Sequence, residues 1–307
     1  MPQPEQQART TIDALLTAAG WHVCDADAAN IHAASRLVET EAELARRESR
    51  SYETGAQLLQ RILETRRSQW QGKGKYKEPA APDTTDLPEL PEGWVWASVE
   101  QVGQVISGLT KNPKRESLPK KLPYLRVANV YANELRLDEI TEIGVGEDEL
   151  DKLLVLKGDL LVVEGNGSPD QIGRVAVWDG SIHPCVHQNH LIKIRLTVSK
   201  PEWVLQWLLS PGSRSRIELV SSSTSGLHTL STGKVSRLPV PLPPLAEQYR
   251  SITEIDSRLS LIRETEAQVG ANLKRAERLR QSILTGAFSD GVHLSKVMSS
   301  VAAVSTI

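Results

Sequence analysis

Residues 157–167 read KGDLLVVEGNG, and this stretch decides the fold class. Four consecutive apolar residues in its middle form a strand-like run, and the Gly and Asn residues that follow end the run in a turn. Runs of the same kind, alternating with Gly, Asn and Asp residues, lie at 105–107, 175–178 and 191–194. They predict a strand-rich globular domain over residues 93–240.

Helical patterns lie on both sides of that domain. Residues 35–71 are strongly charged, and Leu59 and Leu63 lie on an apolar stripe typical of an amphipathic helix, here interpreted as a spacer helix. Gly55 weakens the middle of this helix or marks a break. Four prolines in 72–92 are incompatible with a regular element, so this segment is predicted to be a linker.

A longer helical pattern follows the domain, over residues 241–288. Its apolar residues recur three and four apart, which predicts a heptad stripe and a helix that packs in a coiled coil. The stripe residues expected at a subunit interface, together with Leu59 and Leu63, are Ile255, Leu259, Ile262, Val269 and Leu273. Residues 289–307 are predicted to form a flexible tail.

Composition bounds the class of protein. The chain has 307 residues and a formal net charge of -2, which excludes a uniformly basic nucleic-acid binder but allows a local basic patch. Cys24 and Cys185 lie far apart, without Cys or His at ligand spacing, so neither a disulfide framework nor a zinc ribbon is predicted. No stretch approaches the roughly 18 apolar residues of a membrane helix, so we expect a soluble cytoplasmic protein.

Common catalytic motifs are missing from the sequence. It contains no phosphate-binding P-loop, dinucleotide-binding, zinc-protease or serine-hydrolase signature. The glycine-rich loop 164–174 has two interpretations, a hairpin turn or a phosphate-binding loop. The strand-like runs on both sides of it favour the hairpin. These motifs therefore indicate no particular catalytic chemistry.

A cluster of histidines at 183–190 also has two interpretations. His187 and His190 are three residues apart, and on a strand they would point to opposite faces, which disfavours a shared metal ion. The run from His187 through Asn189 instead offers amide and imidazole groups, which can read base edges or tie loops together.

Charge is unevenly distributed within the strand-rich domain. Six cations and one carboxylate lie between Lys111 and Arg126, which indicates either a phosphate-binding loop or an ordinary solvated loop. The hydroxyl-rich segment 221–231 is suited either to phosphate contacts or to a flexible crossing. The carboxylates between Glu134 and Asp151 are expected to form a separate, solvated acidic face.

Several segments together resemble the specificity subunit of type I restriction-modification enzymes. Those that carry the resemblance, in this order, are LPEGW (90–94), YLRVANV (124–130), KGDLLVVEGNG (157–167), QIGRVA (171–176), HQNHLI (187–192), PLPPLAEQ (241–248) and LRQSIL (279–284). The resemblance covers roughly residues 51–290. The matching region contains one target-recognition domain, whereas members of the family have two, so the chain resembles half of such a subunit. Residues 1–34 form a stub that resembles the start of the restriction subunit.

The resemblance implies an α+β fold, in which one mixed α/β target-recognition domain is flanked by two long helices that form an antiparallel coiled coil. The domain would read a half-site in double-stranded DNA. The residues expected to face DNA are Lys111, Lys114, Arg115, Asn166, Ser168, Gln171, Arg174, His187, Gln188, Asn189 and His228.

The resemblance also implies partners. Methyltransferase and restriction subunits would bind the helices. If the chain dimerises through its helices, a second copy or another half-subunit would read the other half-site. This chain would be a non-catalytic specificity subunit. No metal or cofactor is expected on it, because S-adenosylmethionine, ATP and Mg²⁺ would belong to the partner subunits. The alternative is a degenerate fragment that acts as an adaptor or decoy, without specific DNA binding.

Overall fold

A computed structural model describes residues 38–72, 74–165, 171–221 and 229–304, with side chains on the last helix described to Gly286 and at Phe288. The N-terminal stub at 1–34 lies outside the described residues. The chain forms two compact units, which divide after Ile252.

Nine helices are described besides two short 3₁₀ turns: α1 Glu41–Arg47, α2 Gly55–Ser68, α3 Val99–Val102, α4 Pro113–Glu116, α5 Leu150–Leu153, α6 Pro201–Leu209, α7 Pro211–Ser221, α8 Thr232–Ser236 and α9 Leu245–Val304. The described strands are β1 Val95–Ser98, β2 Gly103–Ser107, β3 Lys121–Leu125, β4 Val130–Tyr131, β5 Glu134–Leu135, β6 Thr141–Gly144, β7 Leu160–Val163, β8 Val175–Val177, β9 Val186–His187, β10 Leu191–Leu196 and β11 Pro239–Leu242. The predicted mixture of helices and sheets is confirmed.

A four-stranded sheet with the order β2-β10-β7-β8 forms the centre of the first unit. All three pairings are antiparallel, and β10 lies between β2 and β7. Each strand-like run in the sequence became one of these strands, because apolar, β-branched residues pack well on a pleated surface. Every residue of β7 is buried, with Leu160 and Val162 in one hydrophobic cluster and Leu161 and Val163 in another. The sheet is therefore covered on both faces.

Three smaller pairings complete the first unit. A second sheet has the order β6-β3-β9, in which β3 runs antiparallel to β6 and parallel to β9. Strands β1 and β11 pair antiparallel and bring the two ends of the domain together. Strands β4 and β5 form a hairpin, and Asn133 in its turn has φ 54°, a conformation that Asn tolerates better than most residues.

The prediction of a single spacer helix over 35–71 is wrong, because the structure has two helices there. Thr40 caps α1 and Thr54 caps α2, each in a reciprocal capping box. Between the two helices, Ser49 has a positive φ of 52°, which is incompatible with a continuous helix. Of the two interpretations of Gly55, a weak point within a helix or a break, the structure supports the break, and Gly55 is the first residue of α2.

Helix α2 packs on the domain through its other apolar face. Leu58 and Ile62 are fully buried against Ala97 and Leu242, whereas the stripe residues Leu59 and Leu63 are half-buried. A shallow groove beside α2 is lined by Leu59, Leu63 and Val95 among others. The face expected to bind a partner subunit is thus partly open.

The linker 72–92 has no regular element in its described residues, and it is held against the domain. Ser98 Oγ donates to the carbonyl of Ala80 at 2.7 Å, and the Trp96 indole donates to the carbonyl of Pro88 at 3.2 Å. Arg216 donates to the carbonyl of Asp86 at 2.7 Å. The linker therefore follows a fixed course across the surface.

The start of α9 is anchored by a buried carboxylate. Glu247 is 1% exposed, and its two oxygens accept hydrogen bonds from the Glu41 amide and the Trp94 indole, both at 3.0 Å. Burial raises the pKa of the Glu247 carboxyl. The fully buried Gln248 accepts from the Lys200 amide at 3.0 Å. These bonds join α1, β1 and α9 within the first unit.

The second unit consists of the rest of α9. Several of its apolar residues are exposed, including the stripe residues Val269 and Leu273 at 52% and 61%. The helix continues to Val304, beyond the boundary expected at 288, since no proline interrupts it and Gly286 alone does not end it. The coiled coil itself stays a prediction. None of the described helices combines the length and apolar character needed to cross a membrane.

Gly55→Ala provides a test of how α2 packs. Alanine normally stabilises a helix relative to glycine, but a Cβ at this position would overlap the Leu242 carbonyl oxygen. We expect the substitution to lower the free energy of unfolding by roughly 1–3 kcal/mol, as measured by urea denaturation. Gly270→Ala in α9 is the matched control, because its Cβ would meet nothing within 4 Å. Equal stability of the two variants would contradict the packing.

Candidate nucleic-acid interface

Antiparallel pairing brings four chain segments to one end of the central sheet. Strand β2 ends at Ser107 beside the start of β10, and β7 ends at Val163 opposite Leu191, the first residue of β10. Strand β8 begins at Val175, opposite Val162. We call the end of the sheet marked by Ser107, Val163, Val175 and Leu191 the loop end.

Bridges between the segments hold the loop end together. Leu109, which follows β2, bridges Gln188, and Gly165 bridges Thr229. The Leu230 amide also donates to the Glu164 carbonyl at 2.6 Å. The segments after β2 and β7 and those before β8, β10 and α8 therefore meet here. They carry the basic, glycine-rich, histidine-containing and hydroxyl-rich patterns found in the sequence.

Both lysines predicted to face DNA are open to solvent. Lys111 lies two residues beyond Leu109, and Lys114 lies in α4; both are exposed. Neither side chain forms an ion pair within the described part of the chain. Such exposed ammonium groups are available to phosphate oxygens.

Arg115, the third predicted cation, has a structural role instead. Its side chain is 15% exposed and forms two parallel hydrogen bonds to Glu149, both 2.9 Å long. It also donates to the carbonyls of Thr110 and Gly144. The pKa of the Glu149 carboxyl is lowered mainly by its hydrogen bond to Arg115. The prediction that Arg115 faces DNA is corrected, because its donors are already engaged within the protein.

The prediction that the acidic segment forms a face separate from the basic segment is also wrong. Strand β3 pairs antiparallel with β6, and this pairing places the basic segment beside the acidic one. Lys120 lies 3.1 Å from Glu147, in addition to the Arg115–Glu149 pair. The acidic face is thus partly neutralised, whereas Lys111 and Lys114 stay exposed without an ion pair among the described residues.

His187 is buried rather than DNA-facing. It is 0% exposed at the end of β9, and its Nδ1–H donates to the Leu191 carbonyl at 2.9 Å. Its Nε2 has no hydrogen-bond partner among the described residues. Burial, helped by the nearby Lys193 ammonium, lowers the pKa of His187 to about 4. Since a fully buried ring cannot touch a base, this prediction is corrected.

The two residues that follow remain near the surface. Gln188 and Asn189 are half-buried, and their backbone amides donate to the carbonyls of Leu125 and Leu109. Gln188 Oε1 also accepts from the Val127 amide at 3.4 Å. The next residue, His190, is exposed and lies 2.9 Å from Glu164. His187 and His190 therefore point into different surroundings, and the described residues contain no cluster of metal-ligating side chains.

Gln171 and Arg174 lie together just before β8. Arg174 Nη1 donates to Gln171 Oε1 at 3.1 Å, and both side chains are half-buried. Asn166, Ser168 and His228 lie outside the described residues, so their assignments stay predictions.

One element of the loop end was missed from the sequence. The β4–β5 hairpin lies beside β8, where the Asn133 amide donates to the Val175 carbonyl at 2.9 Å. It brings Tyr131 and Arg136 next to Arg174. The Asn at a turn between two short runs was the only sequence signal of this hairpin.

The buried His187 predicts sensitivity to acid. Its pKa in the folded chain lies below the usual 6.5, so the folded state binds fewer protons than the unfolded state between about pH 6.5 and 4. Its contribution to stability is therefore present above pH 6.5 and is lost as pH falls towards 4, by up to roughly 3 kcal/mol. In urea denaturation at pH 7 and pH 4, His187→Gln should lose correspondingly less stability on acidification than the wild type.

The exposed His190→Gln is the control and should keep the acid-induced loss of the wild type. An equally steep loss in His187→Gln would show that this ring does not titrate with folding.

Comparison with known proteins places this geometry in a family. Residues 91–274 match the model of the type I restriction modification DNA specificity domain. The chain is 30% identical to the EcoKI specificity subunit of Escherichia coli K12, over 59% of this chain and 39% of that subunit. It is 23% identical to a putative MjaX specificity subunit of Methanocaldococcus jannaschii, over 66% of this chain and 48% of that one.

A crystal structure of an HsdS subunit from Thermoanaerobacter tengcongensis shares the fold. It aligns with a TM-score of 0.51 at 17% identity, over 65% of this chain and 50% of that subunit. The matches to the two curated relatives span 39% and 48% of their lengths. Since the family model matches more than half of the residues, the chain belongs to the family of type I restriction-modification DNA specificity domains.

Proposed function

We propose that the loop end binds double-stranded DNA and reads one half of a bipartite site. The observation that carries this proposal is the convergence of the segments after β2 and β7 and before β8 and β10 at one end of a rigid sheet. Binding residues on loops that a rigid scaffold positions are a common arrangement.

The chemistry of the loop end supports the two parts of DNA recognition. Lys111 and Lys114 are exposed cations suited to phosphates, which position a protein on the duplex. The amide of Asn189 has the donor and acceptor pair that recognises adenine in the major groove. Gln171 and Gln188 carry the same group at the loop end, and each of their amide oxygens already accepts one hydrogen bond within the protein. A good bidentate contact of this kind discriminates by roughly 1–3 kcal/mol.

The assembly part of the proposal rests on the family and on α9. The chain is a non-catalytic specificity subunit that acts with methyltransferase and restriction subunits in the cytoplasm. Those partners carry S-adenosylmethionine, ATP and Mg²⁺, and this chain binds none of them. The recognition domain at 93–240 would read one half of a symmetric site, and a second copy joined through the α9 stripe would present an identical domain to the other half.

Replacing the open lysines tests the DNA-binding surface. We expect Lys111→Gln with Lys114→Gln to weaken binding to random-sequence duplex roughly tenfold, because phosphate contacts are lost. The slope of log affinity against log salt should fall by about 0.9 per lost contact. Fluorescence anisotropy at several salt concentrations measures both quantities.

Lys157→Gln is the matched control, because Lys157 is exposed near the start of β7, at the opposite end of the sheet. It should bind like the wild type. A wild-type chain that selects no motif from the random pool, even with the methyltransferase subunit present, would contradict specific recognition and favour the decoy.

Charge substitution on α9 tests the assembly. Leu273→Lys should reduce a dimer to monomers in light scattering after size exclusion, because a lysine on the stripe would be buried at the interface. Leu261→Lys is the matched control, since Leu261 is also exposed, at 52%, but lies off the stripe. A wild-type chain that stays monomeric and binds no methyltransferase subunit would contradict the assembly.

A further inference from the structure

Two arginines from separate segments share one aromatic ring at the loop end. The guanidinium carbon of Arg136 lies 3.8 Å from the centroid of the Tyr131 ring, and that of Arg174 lies 4.7 Å from it. Arg136 follows β5, whereas Arg174 immediately precedes β8. We call Tyr131, Arg136 and Arg174 the Tyr131 cluster.

Backbone hydrogen bonds hold both arginines in position. The Asn133 amide fixes the hairpin turn to β8, and the Arg136 amide donates to the Asn129 carbonyl at 3.0 Å. The Arg174 carbonyl accepts from the Val163 amide at 2.8 Å. Both guanidinium groups thus lie over the Tyr131 ring before any ligand arrives, and the ring only partly offsets their charge.

The charge of the cluster is not balanced within the described residues. Arg136 pairs with Glu134 at 2.8 Å, but both side chains are about half exposed, so this ion pair is weak and easily exchanged. Arg174 has no carboxylate partner in the described part of the chain, where its Nη1 bonds only the neutral amide of Gln171. Its Nε is buried and has no acceptor among the residues that the structure describes, an arrangement that packing alone would disfavour.

We propose that the Tyr131 cluster binds the phosphate backbone of DNA, an inference that rests on the proposed DNA recognition by the loop end. Each guanidinium has the forked N–H donors that the oxygens of a phosphate accept. A phosphate replaces Glu134 as the partner of Arg136. The Tyr131 ring positions both arginines and makes no base contact. Tyr131 and Arg136 thereby join Arg174 as residues that set the register of the domain on the duplex.

The test measures binding of the full-length chain to a fluorescent duplex of random sequence at several salt concentrations. We expect Arg136→Gln to weaken binding roughly fivefold and to lower the salt slope by about 0.9, the value for one phosphate. Tyr131→Leu should weaken binding to a similar extent, because the arginines lose their support. Tyr131→Phe should bind like the wild type, because it keeps the ring.

Arg47→Gln is the matched control, because Arg47 in α1 is also exposed and paired with a glutamate. It should leave the affinity and the salt slope unchanged. Circular dichroism melts establish that each variant is folded. If Tyr131→Leu does not fold, Arg136→Gln still tests the proposal, because it lies beside an exposed hairpin.

The outcomes separate this inference from the proposed function. A wild-type chain without salt-dependent DNA binding overturns both. A wild-type chain that binds DNA while Arg136→Gln binds equally well, with the same salt slope, overturns only the phosphate site. A selection from the random pool in which Arg136→Gln changes the preferred base at one position also overturns it, because the cluster would then read a base. Weaker binding with an unchanged motif supports it.

Discussion

The antiparallel pairing of β10 with both β2 and β7 is the constraint on which the rest of the first unit depends. Because both neighbours run opposite to β10, their carboxyl ends meet at its amino end. Segments distant in the chain, which follow Ser107 and Val163 and precede Leu191, therefore share one end of the sheet. A parallel arrangement would have sent the same loops to opposite ends.

Buried charges hold β10 in this register. Lys193 is 0% exposed, and its ammonium donates to the carbonyls of Lys152 and Leu154 at 2.8 and 2.6 Å, at the carboxyl end of α5. Burial lowers the pKa of this ammonium to about 8. Arg195 forms two hydrogen bonds to Asp159, which is 2% exposed. A shift of β10 by one residue would turn these side chains to the other face and leave buried charges unpaired.

Local patterns were enough to predict the strands of the central sheet, since a strand such as β7 is encoded by its own four apolar residues. The residues of the candidate site were harder to predict from the sequence. The predictions that failed concern residues whose contacts lie far along the chain. Arg115 is engaged by Glu149, 34 residues away. His187 is buried through the path of β9, and Tyr131 meets Arg174 only through a hairpin too short to show a period. Lys111 and Lys114 are exposed, and no distant residue pairs with them within the described part of the chain, so their contacts with DNA stay a prediction.

Hydrogen–deuterium exchange of the full chain with and without DNA tests the central claim most directly, because it compares the two ends of one sheet in a single experiment. The account predicts slower exchange in the segments that contain Leu109, Arg174 and Asn189 when duplex DNA is added. It predicts no change at the opposite end, around Asp159 and Thr197. Protection confined to that opposite end would contradict the assignment of the loop end as the DNA-binding surface.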